Sequence, residues 1–275
     1  MAISISTNLF SLNAQRNLAK TESGLATAMQ RLSSGLRVNS AKDDAAGLAI
    51  AERMNTQVRG MNVAIRNASD AISLAQTAEG ALGQVGDALQ RMRELAVQAA
   101  NATNGTGDLA NLNAEYQALA AEVTRVLTGT KFNGVDLLGT ATPLVFQVGA
   151  NNVGTDQITV NTADLDGGAG ITAVVGGNLS TSASALTAMT SLDTAINEIT
   201  TARASFGAVQ NRFESVISNL RVAAENQAAS RSRIMDADFA QETANLSKAQ
   251  ILQQAGTAMV AQANQLPASL LALLQ

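Results

Sequence analysis

Apolar residues recur at steps of three and four from residue 45 to residue 100. One run keeps heptad spacing, and a second run resumes it after a shift of three residues. The first is Val58, Met61, Ile65, Ala68, Ile72 and Ala75, and the second is Ala78, Leu82, Val85, Leu89, Met92, Ala96 and Ala99. This pattern is typical of a coiled coil. As one helix it would be about 80 Å long at about 1.5 Å per residue, so the sequence predicts a rod with partners along its length.

Similar apolar spacing predicts helices on both sides of this segment. A first amphipathic helix carries Ile5, Leu9, Leu12, Leu18, Leu25 and Leu32, and Ser33, Ser34 and Gly35 end it. A third helix carries Leu109, Leu112, Tyr116, Leu119, Val123 and Val126. Heptads resume with Met189, Leu192, Ile196, Ile199, Phe206, Val209, Phe213, Val216, Leu220 and Ala223. A last helix carries Leu246, Ala249, Leu252, Met259, Ala263, Leu266, Leu270 and Leu273.

Between residues 131 and 160 the period changes to two, which indicates a β-hairpin. The predicted fold is therefore mainly α: an elongated antiparallel helical coiled-coil bundle with a small β-hairpin insert. We expect residues 1–40 and 235–275 to form a terminal coiled-coil domain. Residues 41–165 and 185–234 should form a helical rod domain with the hairpin. Residues 166–184, rich in Gly, Ser, Thr and Ala, should form a short flexible central loop.

Three glycines, Gly80, Gly83 and Gly86, fall on one side of the long helix. Each costs about 1 kcal/mol of helix stability relative to Ala. We interpret them as positions where a neighbouring backbone comes close, and a local break in the helix is the alternative.

Composition narrows the possible functions. The 275-residue chain has no His and no Cys, which excludes His-based catalytic triads, thiol nucleophiles and ordinary zinc sites. The sequence therefore predicts a protein that is not an enzyme and needs no cofactor. A net charge of −4 with 3% aromatic residues speaks against nucleic-acid binding. No run is apolar for long enough to span a membrane, and residues 1–8 lack the features of a cleavable secretory signal.

Two motifs could be taken for chemical sites. The paired carboxylates Asp43 and Asp44, with Asp236 and Asp238, could form a metal or acid–base cluster. Helix capping and ion pairs to Lys42, Arg231 or Arg233 are the better account. The GGAG run at residues 167–170 is similar to a phosphate-binding loop, but the Lys-Ser/Thr of such loops is missing.

Several long motifs in this chain resemble those of bacterial flagellins. They are SGLRVNSAKDDAAGLAI at residues 34–50, QRMRELAVQ at 90–98, KFNG at 131–134, FQVGAN at 146–151 and SRIMDADFA at 232–240. The resemblance implies a structural subunit of the extracellular flagellar filament that self-assembles after type III export and serves motility. Implied partners are further flagellin subunits, an export chaperone, the filament cap protein and hook-associated proteins. The large outer domains of longer flagellins are missing, which implies a thin, smooth filament.

The resemblance also assigns a recognition role to Leu89, Arg91, Glu94 and Glu115. These positions match the segment of flagellins that the vertebrate receptor Toll-like receptor 5 reads. Without the resemblance, the charged members would be a solvated helix face with ion pairs worth a few tenths of a kcal/mol.

The C-terminal leucines form an apolar stripe. Leu266, Leu270 and Leu273 share one helical face, Leu274 lies beside it, and Leu271 widens it. A free chain end with such a stripe would be adhesive. The resemblance implies that an export chaperone covers the stripe first and that neighbouring subunits cover it later.

Two other kinds of protein remain as alternatives. One is a protein of the junction between hook and filament, and the other is a secreted effector carried on a coiled-coil stalk. The motifs at residues 34–50 and 232–240 favour the filament subunit.

Overall fold

The structure is a computed structural model that describes the backbone of residues 7–272 and the side chains of residues 7–265. The helices are α1 (Leu9–Ser34), α2 (Ala45–Ala99), α3 (Thr106–Gly129), α4 (Ala169–Val175), α5 (Ser182–Met235) and α6 (Phe239–Ala272). The strands are β1 (Lys131–Phe132), β2 (Val135–Asp136), β3 (Pro143–Gln147) and β4 (Gln157–Asn161). A mainly α bundle with a small β insert is thus confirmed.

The chain divides into two compact units. The terminal unit comprises Met1–Thr56 and Asn226–Gln275, and the central unit comprises Gln57–Glu225. The predicted domain boundaries lie between α1 and α2, near residue 40, and at the end of α5, near residue 235, whereas the boundaries of the two compact units fall inside α2 and α5. The periodicity of α2 and α5 continues through the boundary, so nothing local in the sequence marks it.

In the terminal unit, α1 and α6 run antiparallel. Near the start of α1, the Asn8 side chain donates to the carbonyl of Ala263 at 2.7 Å. Near its end, Arg31 lies 3.9 Å from Glu242. The residue numbers rise along one helix as they fall along the other. Gly35 ends α1 with φ at +71°, a left-handed conformation that glycine adopts without strain.

The segment after α1 pairs with the end of α5. The Arg37 amide donates to the carbonyl of Met235 at 2.6 Å, and the Ala237 amide donates to the carbonyl of Gly35 at 2.9 Å. Val38 and Met235 are buried together with Ala51 of α2. This small cluster fixes the start of α2 against the end of α5.

In the central unit, α2 and α5 also run antiparallel. The Arg93 Nε donates to Asp193 at 2.7 Å, and the Gln210 amide donates to Glu79 at 2.8 Å. The predicted seam of α2 is buried from Ala68 to Ala99, with Ile72 partly buried, and forms one core with α3, α4 and α5. The heptad pattern therefore identified the buried face of α2 in this unit.

The β insert consists of two antiparallel pairs, β1–β2 and β3–β4. In the second pair Leu144 lies opposite Val160, and Phe146 lies opposite Ile158. Phe146 contacts Phe213 of α5 edge to face, with ring centroids 5.6 Å apart. The hairpin therefore packs one face on the helical core.

The prediction of a flexible loop at residues 166–184 is wrong. This segment contains α4, and Ile171, Val174 and Leu179 are buried in the core of the central unit. At Gly170 a Cβ atom would lie 2.6 Å from the backbone nitrogen of Ala195, so the glycine permits close packing on α5. The helix has only seven residues, which is too short to give a periodic signal.

The alternative of a helix break at Gly80, Gly83 and Gly86 is wrong, and within one subunit no other element lies close to them. Helix α2 continues through all three, and apart from the adjacent residues and backbone of α2 itself no atom lies within 4 Å of a Cβ built at any of them. Neither a close neighbour within the described chain nor a break in the helix accounts for these glycines.

Candidate assembly and recognition surfaces

An apolar groove lies between α1 and α6. We call it the terminal groove; it is lined chiefly by Phe10, Leu18, Leu252, Gly256, Met259 and Ala263. The two helices approach each other closely at Gly256, where a Cβ atom would lie 3.1 Å from the Leu18 side chain. Its volume is about 690 Å³. That size could hold a small ligand, but an open apolar channel along two helices also fits the side chains of another protein.

The α1–α6 pair leaves many large apolar side chains exposed. Within the described parts of these two helices, the buried apolar residues are Ala28 and Ala263. The exposed large ones are Leu9, Phe10, Leu12, Met29, Phe239, Ile251, Leu252 and Met259. Soluble monomers rarely expose contiguous apolar patches of this extent without a partner. The pair therefore needs a further surface to cover it.

The predicted assembly leucines lie mostly outside what the structure describes. Helix α6 carries the backbone of Leu266, Leu270 and Leu271, whose side chains are outside the described residues. Leu273 and Leu274 are outside them entirely. Their assembly role stays a prediction.

The structure brings together three of the four predicted recognition residues. Arg91 bonds Glu94 on the next turn of α2 at 2.9 Å and reaches Glu115 of α3, also at 2.9 Å. The Glu94 hydrogen bond and then the Glu115 hydrogen bond raise the pKa of Arg91 above its ordinary value. All three side chains are largely exposed, so the cluster contributes little to stability.

Leu89 does not belong to this surface. Its side chain is 0% exposed and lies in the core of the central unit. Residues on a helix that are two positions apart point in different directions, so Arg91 and Leu89 cannot share one face. The prediction of Leu89 as a receptor contact is corrected: it is a core residue.

A second ion pair in this region was not found from the sequence. Arg93 on α2 donates to Asp193 on α5, and this hydrogen bond to the carboxylate raises the pKa of Arg93. The two residues are 100 positions apart in the chain. No local pattern could have paired them.

Two of the four paired carboxylates, Asp44 and Asp238, are helix caps, whereas Asp236 accepts from the Ser232 hydroxyl. Asp44 accepts from the Gly47 amide at 2.8 Å at the start of α2, and Asp238 accepts from the Ala240 amide at 2.9 Å at the start of α6. Asp43 accepts from the Ser40 hydroxyl and from two backbone amides, and these hydrogen bonds lower its pKa. The Ser40 hydroxyl is therefore a donor to Asp43, and the residue that caps α2 is Asp44.

The ion pairs expected for the paired carboxylates do not form. No ion pair to Lys42, Arg231 or Arg233 is present among the described residues.

The GGAG run at residues 167–170 is not arranged to bind a phosphate. The amides of Gly167 and Gly170 already donate to Asp164 and Glu198. Two carboxylates at this place would repel a phosphate. The part of the chain that the structure describes contains no group of three or more potential metal ligands. No helix within residues 7–272 has the length and hydropathy that a membrane crossing requires.

The long paired helices, and the apolar side chains exposed on α1 and α6, are typical of a helical structural protein that associates with other protein surfaces. Residues 5–142 match the family model described as the bacterial flagellin N-terminal helical region, and residues 189–274 match the C-terminal helical region. The chain belongs to the bacterial flagellin family. It is a structural subunit of the flagellar filament, which lies outside the cell, and it assembles with further copies of itself.

Individual relatives agree with this assignment. The chain is 45% identical to a flagellin of Halalkalibacterium halodurans, over 98% of this chain and 99% of that one. It is 42% identical to a flagellin of Bacillus subtilis over the same shares of the two chains. The crystal structure of Bacillus cereus flagellin is 36% identical and superposes with a TM-score of 0.51, covering 60% of this chain and 94% of that one.

Proposed function

We propose that this flagellin polymerises by packing the terminal groove of one subunit against the terminal helices of the next. The observation that carries the proposal is the exposed apolar lining of the groove, with Phe10, Leu252 and Met259 all more than two-fifths exposed. Because these side chains are about half exposed, covering each one contributes about 1 kcal/mol, roughly half the value for a fully exposed apolar side chain. A second copy is the natural occupant because it brings the same apolar helices.

Leu252→Asp tests this step, with Leu252→Met as the matched control at the same position. The charged side chain would have to lose its water inside the interface, which is costly, whereas Met keeps the volume and the apolar character. We expect Leu252→Asp to abolish seeded polymerisation and Leu252→Met to polymerise like the wild type. Circular dichroism should show the same central-unit melting transition in both variants. Normal filaments from Leu252→Asp would contradict the proposal.

We further propose that the C-terminal leucines serve the export chaperone before assembly. An apolar stripe at a chain end would aggregate in the cytoplasm unless another protein covered it. Leu270→Asp combined with Leu273→Asp should abolish co-purification of the chaperone and also seeded polymerisation. If this variant still co-purified with the chaperone, the leucines would not be the chaperone site. If it still polymerised, the leucines would not be needed for assembly.

We propose two further partners in the same scheme. The filament cap protein guides subunits at the distal tip, and hook-associated proteins join the filament base to the hook.

We also propose that Toll-like receptor 5 of a host reads the cluster of Arg91, Glu94 and Glu115. Exposed arginines often anchor protein interfaces, and this one is held in a fixed position by two carboxylates on different helices. Arg91→Ala should lower receptor signalling at least tenfold with little change in the Tm of the central unit.

Arg125→Ala is the matched control for this test. Arg125 is also an exposed arginine, and it bonds Glu122 on the same helix at 2.6 Å. Its loss removes one surface ion pair without touching the proposed recognition cluster. Equal signalling loss in both variants would contradict the receptor assignment.

We propose no enzymatic activity for this chain. Electron microscopy separates the filament subunit from a hook–filament junction protein and from a secreted effector. Seeded with filament fragments, a filament subunit forms long filaments by itself. A junction protein or an effector would not.

A further inference from the structure

We propose that Met259 is an oxidation site that controls assembly: peroxide converts its thioether to a sulfoxide in the free monomer and thereby weakens polymerisation. This inference rests on the proposed role of the terminal groove. Met259 is 61% exposed and lines that groove beside Phe10 and Leu252. Its sulfur is therefore open to solvent in the monomer, at a position that a neighbouring subunit would cover in the filament.

The chemistry needs only hydrogen peroxide as oxidant. A sulfur lone pair of Met259 attacks one peroxide oxygen, the O–O bond breaks, and an S–O bond forms. The other oxygen leaves as hydroxide and takes up the proton released from the transferred oxygen, giving water. The sulfur is oxidised by two electrons and the peroxide is reduced by two. Methionine sulfoxide reductases reverse the change.

The sulfoxide weakens assembly because it replaces an apolar contact with a polar one. Oxidation makes a flexible apolar side chain polar and disrupts interfaces that contain it. Asn13 and Gln262 also line the groove and can donate to a sulfoxide oxygen. We therefore expect the critical concentration for polymerisation to rise about tenfold, rather than assembly to be lost completely.

The other methionines provide internal references. Met61, Met92 and Met235 are at most 9% exposed, so peroxide should reach them slowly in the folded monomer. Met29 is 57% exposed on α1 but does not line the terminal groove. It should oxidise as readily as Met259 with a much smaller effect on assembly, which makes Met29→Leu the matched control for Met259→Leu.

The experiment treats wild type, Met259→Leu and Met29→Leu monomers with hydrogen peroxide, removes the peroxide, and measures the critical concentration of seeded polymerisation. Peptide mass spectrometry records which sulfurs carry oxygen. Treated wild type and treated Met29→Leu should both show the tenfold rise, whereas treated Met259→Leu should behave like its untreated form. Methionine sulfoxide reductases should restore the treated wild type, and peroxide applied to finished filaments should leave Met259 unmodified.

Three results would overturn the inference: no oxidation of Met259 in the monomer, normal assembly of monomer that is oxidised at Met259, or protection by Met29→Leu instead of Met259→Leu. A separate outcome concerns the groove itself. If untreated Leu252→Asp polymerised like the wild type, the groove proposal would be overturned, and this inference with it, before any peroxide is used.

Discussion

Tyr116, the single tyrosine of the chain, shows how one buried side chain joins two elements. Its ring is 0% exposed, and its hydroxyl donates to the carbonyl of Val174 in α4 at 2.9 Å. Burial raises the pKa of Tyr116 to about 12 from an ordinary value of 10.0. Because the chain has no Trp, the phenolate absorbance reports this one group directly.

Stability of the central unit should therefore fall at high pH. The folded-state pKa lies above the unfolded-state pKa, so the contribution is complete below about pH 10 and is lost as the pH rises through about 12. A shift of about 2 units corresponds to roughly 2.7 kcal/mol of unfolding free energy. Denaturant unfolding at several pH values measures it, and absorbance titration of the folded protein should give a midpoint near 12.

Tyr116→Phe is the control for this effect. It should remove the extra loss of stability between pH 10 and 12. At neutral pH it should cost about 0.5–1.5 kcal/mol, because one hydrogen bond is lost while the Val174 carbonyl keeps the Gly177 amide as a donor. An unchanged pH profile in Tyr116→Phe would assign the alkaline loss to other groups.

At the scale of elements, the three glycines of α2 give a prediction that separates monomer from filament. Apart from the adjacent residues and backbone of α2, no described atom lies within 4 Å of a Cβ at Gly80, Gly83 or Gly86. Replacing each with Ala should stabilise the central unit by about 0.5–1 kcal/mol per position. Thermal unfolding followed by circular dichroism measures the gain.

Gly170→Ala is the contrasting variant for the same experiment. Its Cβ would lie 2.6 Å from the backbone of Ala195, so it should lower the Tm. If the triple variant is stabilised as a monomer yet polymerises poorly, a neighbouring subunit occupies the space beside α2. Destabilisation of the triple variant would contradict the prediction that a methyl group is accommodated at all three positions.

The same elements show where sequence patterns are reliable. Helices α2 and α5 were found because their apolar period repeats over many turns. Helix α4 was missed because its buried residues, Ile171 and Val174, are too few to define a period. Its position depends on Glu198, 28 residues away, which accepts the Gly170 amide. No pattern confined to residues 166–184 contains that information.

At the scale of the whole molecule, the two units differ in how much apolar side chain they bury. The described part of the terminal unit buries Ala28, Val38, Ala51, Met235 and Ala263, whereas the central unit has one large continuous core. We expect limited proteolysis of the monomer to cut within residues 1–56 and 226–275 first. A resistant fragment close to Gln57–Glu225 should remain.

Filaments are the control for this digestion, because neighbouring subunits should cover the terminal helices and protect them. The fragment boundaries can be read by mass spectrometry. Terminal helices that survive in the monomer for as long as the central unit would contradict the difference in stability between the units.

The sequence by itself determined the helical content, the buried face of α2, the β-hairpin and the family. Each of these depends on local periodicity or on a long motif, and local periodicity follows from the geometry of the helix and the strand. Only the tertiary structure decided that Arg91 of α2 reaches Glu115 of α3, that Arg93 bonds Asp193, and that α4 packs on α5. The physical reason is that burial and pairing are set by whichever distant segment comes to lie against a residue, and a one-dimensional pattern does not specify that segment.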